Sequence, residues 1–154
     1  MPSSHAMEKE ASPELVASLK EALAAVLEVR PANPLIFLLA YFRRAAQPDS
    51  MEALAYLLNA CPRSRGCFQE NVYSTFVSLK RPKAETLQLQ VCDSFLRILG
   101  AALPEEIMEG LLEQLRAGGS AVHFNEFNSV VEACIAANEA LEGSNAGESA
   151  CASC

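Results

Sequence analysis

The chain reads VRPANPLIFLLAYF from Val29 to Phe42. Two prolines stand three residues apart, and a dense apolar run follows at once. The residue before a proline is driven out of the right-handed helical region, so a helix must stop near Arg30. Asn33 then offers its side-chain oxygen to the free N–H groups of a second helix, with Pro34 at the first position, where a missing N–H is tolerated. The prolines therefore punctuate two helices and join their apolar faces through a tight corner. Two short helices of roughly 35 residues bury too little surface to stand alone, so this run needs a partner. Either the rest of the chain covers it or a second copy does.

Working outward, Ser12 is the expected N-cap of the first helix, with Pro13 at its first position and Glu14 near the positive end. Leu15, Val16, Leu19, Leu23, Val26 and Leu27 recur at helical spacing and form one stripe, with Lys20, Glu21 and Glu28 off it. Downstream, Ser50 can cap a helix from Met51 to about Ala60, with Leu54, Leu57 and Leu58 inward; Pro62 ends it. A fourth helix is expected from about Cys67 to Leu79, with Phe68, Val72, Tyr73, Phe76 and Val77 as its apolar residues. A fifth is expected from about Glu85 to Gly100. Pro104 opens a sixth with Ile107, Leu111, Leu112 and Leu115 on its core face. AVHF reads as a short extended piece, and Asn125 as the cap of a last helix from Glu126 to about Leu141. The expected organisation is all-α: residues 1–11 disordered, 12–46 a helical hairpin, 50–141 a helical domain, and 142–154 a small, polar, disordered tail.

Composition narrows the function. About half of the 154 residues are apolar (51%), enough for a core. No apolar run approaches the roughly 18–20 residues of a membrane span, and the first residues lack the pattern of a secretory signal. A formal net charge of −7 argues against general nucleic-acid binding. Arg43, Arg44, Arg63, Arg65, Lys80, Arg81 and Lys83 gather in the middle third; solvated helix ends account for them, and an acidic partner surface is the alternative reading. The six cysteines are expected to be reduced thiols of a cytosolic chain, with Cys92 and Cys134 as small core residues and Cys61 and Cys67 flanking a loop. Cys151 and Cys154 form a terminal C-x-x-C with no following helix to activate it. A zinc site needs four ligands, and His5 and His123 are the only histidines available to join Cys151 and Cys154; a disordered tail is the preferred reading. No nucleotide, nucleophile-elbow or metalloprotease motif is present, so neither catalytic residues, nor a metal, nor a cofactor is expected.

The stretch LRAGGSAVHFNEF between the last two helices resembles an EF-hand loop. With Glu126 at loop position 12, Val122 falls at the apolar position 8. Positions 1, 3 and 5 are then Leu115, Ala117 and Gly119, and position 6 is Ser120, so no carboxylate is offered to calcium. The expectation is a degenerate, calcium-free helix–loop–helix.

Leu19 to Arg44, with Arg30-Pro31, Asn33-Pro34 and F-L-x-x-Y-F, resembles the docking-and-dimerisation motif of Dpy-30 and of the regulatory subunits of cyclic-AMP-dependent protein kinase. The resemblance implies an X-type four-helix bundle with a second docking motif, of this chain or of a related protein. It implies dimer contacts at Val26, Leu27, Pro34, Phe37, Leu38, Tyr41 and Phe42. It further implies a groove formed by Leu15, Val16, Leu19 and Leu23 for an amphipathic helix of a larger scaffold protein. C-F-Q-E-N-V-Y-S-T-F, A-L-P-E-E-I-M-E-G-L-L and V-H-F-N-E-F extend the likeness to the family of the non-catalytic subunit 1 of the tubulin polyglutamylase complex. That likeness implies a non-catalytic adaptor in a microtubule-associated complex of the cytoskeleton, at the cilium or flagellum axoneme or the basal body. Two alternatives stand beside it: a calcium-independent EF-hand-like regulator whose target site lies in the helical domain, and a thiol enzyme using Cys151 and Cys154.

Overall fold

The structure is a computed structural model and describes residues 12–148. The expectations of disorder in residues 1–11 and 149–154, and the readings of His5, Cys151 and Cys154, lie outside the described residues. Within them the chain is all-α apart from one two-residue ladder.

The first helix, α1 (Pro13–Val29), starts where Ser12 Oγ accepts from the Leu15 N–H at 3.2 Å. It ends at Arg30, which adopts the left-handed conformation at φ 52° while its N–H reaches Val26 O at 2.8 Å. The second, α2 (Pro34–Ala46), starts where Asn33 Oδ1 accepts from the Ile36 N–H at 3.1 Å. The two pack on each other across the corner. Next comes α3 (Met51–Ala60), which buries Ala53, Leu54, Ala55, Leu57 and Leu58. Ser50 takes the cap position, but its hydroxyl bonds Glu52 Oε2 at 3.4 Å and no backbone N–H.

Two helix–loop–helix units follow. The first joins α4 (Cys67–Leu79) to α5 (Leu89–Leu99) through β1 (Leu87–Gln88). The second joins α6 (Glu105–Ala117) to α7 (Phe124–Glu148) through β2 (Ala121–Val122). The two loops pair antiparallel, Leu87 opposite Val122 and Gln88 opposite Ala121, and the Leu89 N–H adds a bond to Ser120 O at 3.1 Å. Leu87 and Val122 are both fully buried beneath this ladder.

Several expectations are corrected. The fifth helix starts at Leu89, four residues late, because Leu87 and Gln88 are extended against the second loop. The last helix starts at Phe124, before Asn125, because Glu126 Oε2 accepts from the His123 N–H at 2.9 Å and closes the first turn. It continues to Glu148, so residues 142–148 are helical where a disordered tail was expected. On α6, Met108 is buried and Ile107 is exposed. On α4, Tyr73 and Val77 face outward, Tyr73 resting edge-on against Phe124 at 5.3 Å.

One core runs from the corner to α7. Phe68, Phe95 and Phe127 are its largest fully buried side chains. Phe127 stands 5.9 Å from Phe95 and 5.5 Å from Phe76, which ties α7 to α5 and α4. Cys92 and Cys134 are small core residues, as expected, each wholly buried. Outside the core, Arg97 of α5 and Arg116 of α6 share Asp93 and Glu109 in a surface network with contacts of 2.7 to 3.2 Å.

Candidate protein-docking surface

The corner Arg30–Asn33 decides which faces of α1 and α2 remain open. Val29, Pro31 and Phe37 turn inward around it. Phe37 is 3% exposed and joins the core with Leu54, Leu57 and Leu58 of α3. Ala40, one turn later, is buried as Ala53 of α3 is. Small side chains at both positions let the two helices approach closely. Arg44, a further turn on, donates from Nη2 to Ser74 Oγ and ties α2 to α4. Burial pushes the Arg44 pKa down from its ordinary value, with the neighbouring Tyr41 acting in the opposite sense. Phe37, Ala40 and Arg44 thus form the inner stripe of α2.

The helical phase then sends Leu35, Ile36 and Leu39 outward, Leu35 at 78% exposure. On α1, every residue from Pro13 to Glu21 is exposed, and only Ala22 and Val29 are buried. Leu15, Leu19, Leu23 and Leu27 form a row at spacing four along that helix, all exposed, with Val16 beside it. Eight large aliphatic side chains on two adjoining helices therefore meet solvent. Scattered exposed leucines are ordinary, but a row of this kind along one helix is a candidate interaction site.

The expected groove residues Leu15, Val16, Leu19 and Leu23 all lie on this open face. The expected dimer residues separate. Leu27 and Pro34 are exposed; Val26, Leu38, Tyr41 and Phe42 are half-buried. Tyr41 and Val26 pack on the core, and Tyr41 also stacks edge-to-face on Phe42 at 5.6 Å. Phe37 is corrected: it faces the chain's own α3, not a surface open to a second copy. Leu35, Ile36 and Leu39 were missed, and the signal that could have found them is Ala40. A lone small residue in LIFLLAYF marks the side that meets another helix closely, which leaves positions 35, 36 and 39 on the other side.

Two of the thiols are wholly buried away from solvent. Cys92 and Cys134 have thiol pKa values pushed up by burial, to about 12 and about 11, so both stay protonated at neutral pH and neither is a ready nucleophile. No group of three or more His, Cys, Asp or Glu side chains is placed to hold a metal ion, and no helix is long and apolar enough to cross a membrane, among the described residues.

No family model, curated protein or solved structure matches the chain.

The surface therefore stands on its own geometry. A notch of about 180 Å³ lies between α2 and α3, with Ile36, Leu39, Ala40, Ala53 and Tyr56 in its wall and the charged Arg43 and Glu52 also lining it. An apolar side chain from an occupant fits that space. The charged residues Lys20, Glu21 and Glu28 stay to the side of the leucine row, so the row itself offers no hydrogen bond and selects by shape and hydrophobicity.

Proposed function

We propose that the chain is a non-catalytic adaptor whose α1–α2 hairpin pairs with a second docking motif and grips an amphipathic helix of a larger scaffold protein. The observation that carries this reading is the row Leu15, Leu19, Leu23 and Leu27, exposed along a helix whose first nine residues are all exposed. A partner helix that covers three or four of these side chains gains roughly 1.5–3 kcal/mol for each. After the costs of association, that is sufficient for micromolar to sub-micromolar binding. The X-type bundle follows from the resemblance to the Dpy-30 and kinase regulatory-subunit motif, with Leu27, Leu35, Leu38 and Leu39 as this chain's share of the dimer seam. The placement in a ciliary or axonemal microtubule complex rests on the likeness to the tubulin polyglutamylase subunit family.

A second reading draws on the paired loops. Leu87 opposite Val122 is the register in which two EF-hand loops meet through their eighth positions. The same alignment puts Lys80, Pro82 and Ala84 at positions 1, 3 and 5 of the first loop, so neither loop offers calcium its carboxylates there. In this reading the helical domain is a calcium-independent regulator and carries the main target site.

One experiment separates the two. The full chain is used to capture axonemal proteins from ciliated-cell extract, with and without Leu19→Asp and Leu23→Asp together. Under the adaptor reading the double variant keeps its circular-dichroism spectrum and loses capture. Capture that survives unchanged sinks the groove and favours the helical domain.

A further inference from the structure

Between α3 and α4 the chain reads CPRSRGC, Cys61 to Cys67. Pro62 stops α3, and Cys61 is its C-cap, 1% exposed. The turn is closed by the Arg65 N–H on Pro62 O and the Phe68 N–H on Arg65 O, both at 3.0 Å. Cys67 is the first residue of α4 and half-exposed. The turn brings the two sulfurs to 3.3 Å, in contact with each other. Beside Cys67 lies a cavity of about 150 Å³, with Phe37, Tyr41 and Leu57 on its apolar side and Glu28, Arg44 and Glu70 on its charged side. A water-sized molecule occupies about 30 Å³, so a small oxidant fits there.

We propose that Cys61 and Cys67 are an oxidisable pair, closed to a disulfide by a peroxide-class oxidant, with Cys67 the attacking residue and Cys61 the resolving one. The assignment of roles follows from access. Cys67 lines the cavity, and Cys61 does not. Burial, with the hydrogen bond to Cys67 second, pushes the Cys61 thiol up to about 12. It therefore keeps its proton at neutral pH and waits for an activated sulfur. The Cys67 sulfur attacks one oxygen of hydrogen peroxide and gives up its proton. The O–O bond breaks, Cys67 becomes a sulfenic acid, and the departing hydroxide takes up a proton as water. The Cys61 sulfur then attacks the Cys67 sulfur; its proton leaves with the displaced hydroxide as a second water. Two thiols and one peroxide give one disulfide and two waters. Thiol–disulfide exchange with an external thiol reverses it. The bond crosses only the α3–α4 turn, so it forms without unfolding either helix, and its Cys67 end shares a wall with the docking hairpin.

The test is direct on the full chain. It is treated with hydrogen peroxide, the remaining thiols are alkylated, and the tryptic map is read. Trypsin cuts after Arg44, Arg63, Arg65 and Lys80, so the expected product links the peptide 45–63 to the peptide 66–80. That product is expected to persist when Cys151 and Cys154 are both serine, to vanish in Cys67→Ser, and to vanish on treatment with dithiothreitol. In Cys61→Ser, whose hydroxyl can still donate toward Pro62 O as the thiol does, the sulfenic acid of Cys67 is trapped by dimedone. Peptides 45–63 and 66–80 recovered separately alkylated from the oxidised wild-type chain overturn the proposal. A dimedone adduct on Cys61 in the Cys67→Ser chain, with none on Cys67 in Cys61→Ser, reverses the roles and overturns the assignment.

Discussion

Arg30 carries the corner between α1 and α2, and it does so in a conformation that L residues with a Cβ adopt at some cost. Its φ of 52° is the left-handed helix-end position usually taken by glycine. A left-handed residue costs roughly 1–2 kcal/mol, and glycine adds back some of this as unfolded-state entropy. Arg30→Gly is therefore expected to stabilise the chain by about 0.5 kcal/mol, read as a higher urea midpoint at unchanged slope. Phe37 gives the opposite sign. Wholly inside the chain's own core, it is expected to cost about 3–5 kcal/mol as Phe37→Ala, measured by chemical denaturation of the monomer. Leu39→Ala, on the open side of the same helix, should stay within about 0.5 kcal/mol. Equal costs for the two would mean that α2 is rotated from the phase described. That phase is what the residues alone left open. In LIFLLAYF nearly every position is large and apolar, so spacing announces a helix but not its inner side; Ala40 is the one local mark of that side, and contact with α3 bears it out.

At the scale of elements, boundaries marked by local chemistry were legible and those set at a distance were not. Ser12, Asn33, the prolines and Gly118–Gly119 act within a turn of where they stand, and the ends of α1 to α4 follow them. The start of α5 was hidden, because Leu87, Leu89 and Val91 run on without a break while their partner, Val122, lies in the other loop. The α5–α6 pair carries a pH signature. Arg97 first, then Arg116, holds the Glu109 carboxyl below the usual carboxylate range. A depressed folded pKa contributes stability above the unfolded value of about 4.3, and that contribution is lost as pH falls through the folded value. Glu109→Gln is expected to flatten the acid limb of a Tm-against-pH curve and leave the neutral region nearly level, since exposed ion pairs contribute little. An acid limb identical to the wild type would mean that the network is not formed.

For the whole molecule, the division is between a body with one continuous core and a helix that leans out of it. The all-α class could be read from the residues, because apolar stripes and their breaks are local; that α2 shares one core with α3 could not. Which leucines remain uncovered could not, since burial is decided by what else arrives. The unsupported half of α1 has a consequence in time as well as in space. Isolated helices shorter than about 12–15 residues are marginal in water, and Pro13 to Glu21 has no buried residue to hold it. Its backbone amides are expected to exchange with deuterium far faster than those of α3 or α5, and to slow sharply when an occupant covers the leucine row. Slow exchange there in the isolated monomer would contradict this. The outer turns of α1 thus act as a built-in reporter: their exchange rate measures how much of the protein is engaged, whatever the occupant's identity.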